Sequence, residues 1–344
     1  MKLSRSLRAA LVLLTVLAGS ISLANAQSSG SPTIDGVVQR GQLLCGVAGN
    51  IPGFALPDSQ GVMKGIDADY CRAFAAAVLG DANKLRFILT PGAARFPSVQ
   101  TGVTDVSSQQ TTWTLSREAS LGLLFPGIYM YDGGTFMVKA AAGIKEAKEL
   151  DGATVCVQSG TTTELIVADY YRQHNMKFNP VLIENIDAVN AAFLSGRCDV
   201  RAGDASAQAA FRANQGPKAS ELVILPELIS KEPLGPFVRK GDDKWFDLIR
   251  WIMNAMVIAE ENGVTSQNVD SFINTTNPDI KRLLGMEGDI GKMLGADNKF
   301  AYNVIKQVGN YGEVWDRNIS PLAIPRGLNN LWSKGGLIYA PPAR

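Results

Sequence analysis

Apolar positions along the chain follow two periods in turn. The stretches "QLLCGV" (42–47), "KLRFIL" (84–89) and "DVSS" (105–108) read as strands, while "DADYCRAFAAAVL" (67–79) and "ARFPSVQTG" (94–102) read as helices, the second ended by a glycine. Strands alternating with helices predict an α/β domain around a largely parallel sheet. The order then returns, with "ATVCVQ" (153–158) and "CDVRA" (198–202) as strands and "TTELIVADYYRQHN" (162–175) and "AVNAAFLSG" (188–196) as helices. Aligning "VQTGVTDV" (99–106) with "FLSGRCDV" (193–200) superposes Gly102 on Gly196, Asp105 on Asp199 and Val106 on Val200. Two similar α/β lobes are the simplest reading.

Past residue 233 the pattern gives one strand, "GPFVRK" (235–240), and a long helix opened by Asp242 or Asp243 and closed by Gly263. Trp245, Ile249, Ile252, Met253, Met256 and Val257 form an apolar stripe at helical spacing, which reads as core rather than as cofactor contact. The tail to Arg344 carries no motif. Its aromatics Tyr302, Tyr311, Trp315, Trp332 and Tyr339 are expected to pack it down.

The amino terminus changes the picture first. "MKLSRSLRAALVLLTVLAGSISLANA" joins Lys2, Arg5 and Arg8 to an apolar run from Ala9 to about Leu17 and then to Ala24-Asn25-Ala26, the pattern of a secretory signal peptide over residues 1–26. The run is too short to read as a membrane span. The mature chain is therefore expected to begin near Gln27, in a compartment outside the cytoplasm. Removing the signal takes three of the 33 basic residues and none of the 32 acidic ones, leaving a net charge near −2 and no electrostatic reason to expect nucleic acid as a partner. About 318 of the 344 residues remain, enough for two cores. Four cysteines in an oxidising compartment favour two disulfides among three possible connectivities. Cys45, Cys71, Cys156 and Cys198 contain no C-x-x-C pair and His174 is the only histidine, so no metal site is expected.

Candidate chemistry gathers in "QQTTWTLSR" (109–117), where two amides, three threonines, a serine, a tryptophan and an arginine follow a strand. In open α/β sheets ligands bind at the carboxyl ends of strands, where loops lead into helices. Thr114 is a plausible N-cap there. "QSGTTTE" (158–164) stands in the same position in the second lobe, with a Thr161-to-Glu164 capping box and a helix start that favours an anion. Asp204 lies just past the strand "CDVRA". An arginine, several hydroxyls, a helix start and a carboxylate converging on one gap match what an α-amino acid needs: a cationic fork for its carboxylate and an anion for its ammonium. Taken singly, Arg117 reads as a solvated helix residue, "TTTE" as a cap and Asp204 as a loop aspartate. Their shared placement is what argues for a site.

Longer strings carry a family likeness. "GIDADYCRAFAAAVLGD", "TTWTLSRE", "DGATVCVQSGTTTEL", "GRCDV", "ISKEPLGP", "KQVGNYGEV" and "RGLNNLWSKGGLIYAPP" resemble the periplasmic general L-amino-acid binding proteins of polar amino-acid ABC transporters, within the family 3 solute-binding proteins. The resemblance implies a Venus-flytrap fold of two Rossmann-like lobes joined by a hinge: residues 27–137 and 234–344 in lobe one, with a C-terminal extension, and 138–233 in lobe two. It implies hinge segments near Tyr131 to Lys139 and Lys231 to Val238. It also implies a monomer that closes on an amino acid and offers it to a membrane permease, with no cofactor and no enzymatic activity.

Site roles follow from the same likeness. Arg117 clamps the ligand carboxylate with Thr112 beside it, Thr161 and Thr162 close from lobe two, and Asp204 holds the ammonium. Gln109, Gln110 and the run Arg201-Ala202-Gly203 depart from the family pattern, which makes Gln109 and Arg201 candidate specificity positions and Gln110 a further ligand contact. By strand period Arg201 points either into the cleft or into the lobe surface. Hinged lobes imply the disulfides Cys45–Cys71 and Cys156–Cys198, one per lobe, since a bridge between lobes would oppose closure. A dehydratase-like enzyme on the same scaffold would need a general acid or base in the cleft, for which the chain offers no recognisable motif. A sensor that reports to a receptor without transport is the other alternative.

Overall fold

The computed structural model describes residues 28–90 and 92–344, and the expected signal peptide lies outside the described residues. Strands and helices fall close to where the periodicity predicts them. The first sheet places strand Leu43–Val47 between Leu85–Leu89 and Val106–Ser107, all parallel. The second sheet places Thr154–Gln158 between Asn179–Ile183 and Val200–Asp204, again parallel, and then adds Gly134–Lys139 and Leu222–Ile224 in antiparallel register. In both sheets the first strand of the unit is central and the third lies beside it. The second sheet is therefore mixed, where a largely parallel one was expected.

The match between the two units has a physical basis. Gly102 and Gly196 both take left-handed φ, +77° and +80°, where a helix must turn sharply into the next strand. Asp105 and Asp199 follow, and each carboxylate accepts a backbone N–H at the start of its central strand, Leu44 at 2.7 Å and Thr154 at 2.8 Å. The same turn and the same side-chain tie thus fasten the third strand beside the first in both lobes.

Two chain crossings join the lobes. Met130–Asp132 pairs antiparallel with Glu232–Leu234, so that Asp132 stands opposite Glu232. Strand Gly134–Lys139 hydrogen-bonds in the second sheet along its whole length, Gly134 opposite Asp204, so the crossing falls at Gly133 rather than after residue 137. The segment "YDGGTFMVK" is divided between two strands, Met130–Asp132 and Gly134–Lys139. The glycine pair breaks it because the returning chain passes too close for a side chain: a Cβ on Gly133 would lie 2.9 Å from Ser230 O, and one on Gly134 2.8 Å from Ser230 Oγ.

Helix Asp243–Glu261 buries Trp245, Ile249, Ile252, Met253, Met256 and Val257 in the core of lobe one, as its stripe predicts. Asp242 caps it, accepting from Trp245 N at 3.0 Å, while its other oxygen accepts from Ser31 Oγ and Thr33 N. One carboxylate thereby fixes the starts of two helices. In the tail, Tyr311 and Trp315 are buried, whereas Trp332 and Tyr339 are more than half exposed and do not pack it down as expected. Asn329 takes part of that work. Its amide exchanges hydrogen bonds with both backbone groups of Tyr131, at 2.6 and 3.0 Å, and Tyr311 Oη donates to Tyr129 O at 2.9 Å.

The disulfides are Cys45–Cys71, with Cα atoms 5.9 Å apart, and Cys156–Cys198, 5.6 Å apart. They close loops of 26 and 42 residues within single lobes. Loop entropy gives each about 3–4 kcal/mol of stabilisation. Non-reduced peptide mapping is expected to find these pairs and no other. Replacing either pair by alanines should lower the unfolding free energy in denaturant titration by an amount of that order.

Candidate ligand-binding site

A cavity of about 360 Å³ lies between the lobes, lined from both sides. On the lobe-one side the wall is the loop 108–113 that follows strand Val106–Ser107. Gln109 lines the cavity, but both ends of its amide are tied to Thr90, Oε1 accepting from Oγ1 at 2.7 Å and Nε2 donating to the carbonyl at 2.8 Å. It therefore braces the wall. Gln110 adopts a left-handed φ of +43°. Its N–H donates to Tyr129 Oη at 2.9 Å, and that hydroxyl donates to Asp67 at 2.6 Å. Asp67 is fully buried and also accepts from Ser108 Oγ at 3.2 Å. Burial raises its carboxyl to about 6 despite those donors.

Arg117 follows one turn later. Thr114 caps its helix as expected, accepting Arg117 N at 3.3 Å, and the guanidinium donates to Thr112 O at 2.8 Å and stands 5.1 Å from the centre of the Phe96 ring. Arg95, absent from the sequence-based candidates, stacks on the same ring at 5.1 Å. Its Nη1 reaches only Gln109 O at 3.4 Å and its Nε has no partner, although the residue is buried. Burial, and then the proximity of Arg117, lower its pKa to about 9. The signal was present: like Arg117, Arg95 opens a helix just after a strand at the binding end of the sheet.

Lobe two supplies the opposite wall. Thr161 and Thr162 line the cavity at the start of helix Thr162–Gln173. The expected capping box does not form. Thr161 Oγ1 instead donates to Gln158 O at 2.7 Å, and Glu164 accepts from Gly160 N at 2.9 Å, because the turn before the helix offers closer partners. Asp204 opens helix Ala205–Ala213 without capping it, and its carboxylate accepts no hydrogen bond from the described residues. Burial, then the nearby Asp132 and Glu232, hold its carboxyl well above the usual carboxylate range. Arg201 enters the cleft rather than the lobe surface and lines the cavity beside Ala202 and Gly203.

The lobes touch across the cleft. Gln110 Nε2 donates to Ser206 Oγ at 2.8 Å, Asn50 Nδ2 to Asp187 at 3.0 Å, and the hydroxyls of Thr112 and Thr162 are 3.4 Å apart. Both threonines also donate to Glu232, Thr162 at 3.1 Å, and Ser230 Oγ donates to its other oxygen at 2.6 Å. Glu232, in the second crossing strand, was not foreseen as part of the site. Its "KEPLG" context reads only as hinge.

Two α/β lobes with two crossings, and a walled cleft whose arginines and Asp204 make no ion-pair contact among the described residues, define a protein that holds a small solute. The chain belongs to the bacterial extracellular solute-binding proteins, family 3, whose model matches residues 43–275. It is 49% identical to the general L-amino acid-binding periplasmic protein AapJ of Rhizobium johnstonii, over 96% of this chain and 99% of that one. It is 48% identical to the glutamate/glutamine/aspartate/asparagine-binding protein BztA of Rhodobacter capsulatus, over 95% and 98%. Among solved structures, an ABC-transporter periplasmic binding protein of Brucella ovis with glutathione bound superposes with a TM-score of 0.88 at 49% identity, covering 91% of this chain and 99% of that one.

The wall's posture depends on the Asp67–Tyr129–Gln110 chain. Tyr129→Phe removes a donor from a buried carboxylate and is expected to cost about 1.5–3 kcal/mol of stability in denaturant unfolding. A loss below 0.5 kcal/mol would mean that Asp67 is neutral and content with Ser108.

Proposed function

We propose that this protein is the periplasmic substrate-binding component of an ABC importer, that it binds the α-amino-acid head group of its ligand between the lobes, and that it delivers the closed form to a membrane permease. One observation carries the reading. Arg117 and Asp204 face one cavity from opposite lobes, and neither has a partner of opposite charge in ion-pair contact among the described residues. A carboxylate and an ammonium on the same ligand carbon would satisfy both. Arg95, stacked with Arg117 on Phe96, adds a second cation at the carboxylate end. Thr112, Thr161, Thr162 and Gln110 border the same space and offer polar side chains to a ligand that exchanges for their bonds to Glu232, Gln158 O and Ser206. The relatives named above are described as binding proteins, which favours binding over an enzyme on this scaffold.

Movement belongs to the paired crossing strands Met130–Asp132 and Glu232–Leu234. Lobe one is proposed to combine the chain before Gly133 with the chain after Leu234, including the C-terminal extension, and lobe two to span what lies between. Export through residues 1–26 and action as a monomer complete the reading.

Arg117→Ala and Asp204→Asn should each weaken binding of an α-amino acid by about thirty-fold to several thousand-fold, since each leaves a buried ligand charge unpaired at a cost of about 2–5 kcal/mol. Lys148→Ala, on an exposed face, should leave it unchanged. Calorimetry that finds either cleft variant within three-fold of wild type would falsify the head-group assignment.

The raised Asp204 carboxyl adds a pH dependence. An ammonium binds only the ionised carboxylate, so a ligand arriving at protonated Asp204 must displace a proton. Affinity is expected to fall as the pH is lowered from neutral into the acid range, and binding should release protons. Calorimetry in two buffers of different ionisation enthalpy measures that release, and proton uptake would contradict it.

A further inference from the structure

Beyond the head-group clamps, the lobe-two wall carries one more charge. Arg201 is 2% exposed, and every partner it has is neutral. Its Nε donates to Asn190 Oδ1 at 2.8 Å, its Nη1 donates to Gln208 Oε1, and its guanidinium stands 4.8 Å from the centre of the Phe211 ring. Gln208 is itself locked, donating to Arg201 O at 2.8 Å and Thr135 O at 3.3 Å. These contacts aim the guanidinium without neutralising it. Burial draws its pKa down to about 10, and Asp204 acts on it only from beyond ion-pair distance.

A buried cation normally keeps a counter-charge, because an unpaired one has lost its hydration with nothing to replace it. Space for that counter-charge lies beside it. Gly203 has no side chain where a Cβ would stand 3.4 Å from Arg201 Nη1. The cavity runs on past the guanidinium to Leu194, Phe211, Asn214 and Gln215.

We propose that Arg201 is a specificity-determining residue that receives a second carboxylate, so that the preferred ligand is an α-amino compound with two acidic groups. This rests on the head-group reading above. Arg117 and Asp204 hold the amino-acid end, and Arg201 holds the far anion. That anion sits either on a short side chain, as in glutamate, or at the end of a γ-linked peptide, as in glutathione.

Calorimetry on the wild-type protein with two matched pairs, glutamate against glutamine and glutathione against its glycine amide, tests this. The acid of at least one pair is expected to bind about thirty-fold more tightly than its amide, and the pair that does so identifies the source of the anion. Arg201→Gln should bring that ratio within three-fold while moving affinity for the amide less than three-fold, and Arg201→Lys should restore part of it. A purely structural role for Arg201 would weaken acid and amide alike.

Ratios below three-fold in both wild-type pairs overturn the subsite, as does a ratio that survives Arg201→Gln. If Arg201→Gln does not fold, the wild-type ratios decide. Binding of glutamine and leucine with no acid preference defeats the subsite and leaves the head-group reading intact. Arg201-dependent binding of glutarate without binding of any α-amino acid does the reverse. Failure of every compound to bind overturns both.

Discussion

Three guanidiniums, those of Arg95, Arg117 and Arg201, are buried in one cleft with no carboxylate in ion-pair contact among the described residues, and the fold is organised around keeping them so. Charges buried without partners are expensive, and a chain left to relax would neutralise them or expose them. Here each is held by groups that cannot neutralise it. Phe96 lies under two of them and Phe211 under the third, while backbone carbonyls and amide oxygens fix their direction. The stability lost at the cleft is offset by two apolar cores, by disulfides within the lobes and by the Asp105 and Asp199 ties that fasten the sheets.

The acidic groups have a different distribution. Burial, and then Asp132 and Glu232, raise the Asp204 carboxyl, and both of those neighbours belong to the crossing strands. Glu232 accepts hydroxyls from both lobes at once, Thr112 from one and Thr162 from the other. Charge in the cleft and geometry at the hinge therefore share residues. Asp204 and the two crossing strands are therefore electrostatically close, without any long relay between them.

Much of the fold was legible because the signals were local. Periodicity placed the strands and helices, the paired strings around Gly102 and Gly196 marked the repeat, and Asp242 announced the long helix. The site was legible where strand ends met hydroxyls and arginine. What escaped were contacts that no local pattern announces, some of them across large sequence separations. Glu232 touches Thr112 from 120 residues away, and nothing in "KEPLG" indicates that its carboxylate faces two threonines. Arg95 hid inside a short helical pattern, and Thr161 found Gln158 O in place of its own helix. Strand period left the direction of Arg201 open, and the pull of Asn190, Gln208 and Phe211 decided it.

The grip of Asn329 on Tyr131 spans 198 residues, and that of Tyr311 on Tyr129 spans 182. Lobe one is thus written in two separated passages, whereas the strands of lobe two come from one continuous stretch. None of the strands of the lobe-two sheet comes from the tail. The first crossing strand takes partners from near the end of the chain. Closing such long loops costs more chain entropy than closing short ones, and the half bearing Arg95 and Arg117 is the one held by these long-range contacts. A chain truncated before Asn329 would keep every residue that lines the cleft yet lack the clasp that sets one of its hinge strands.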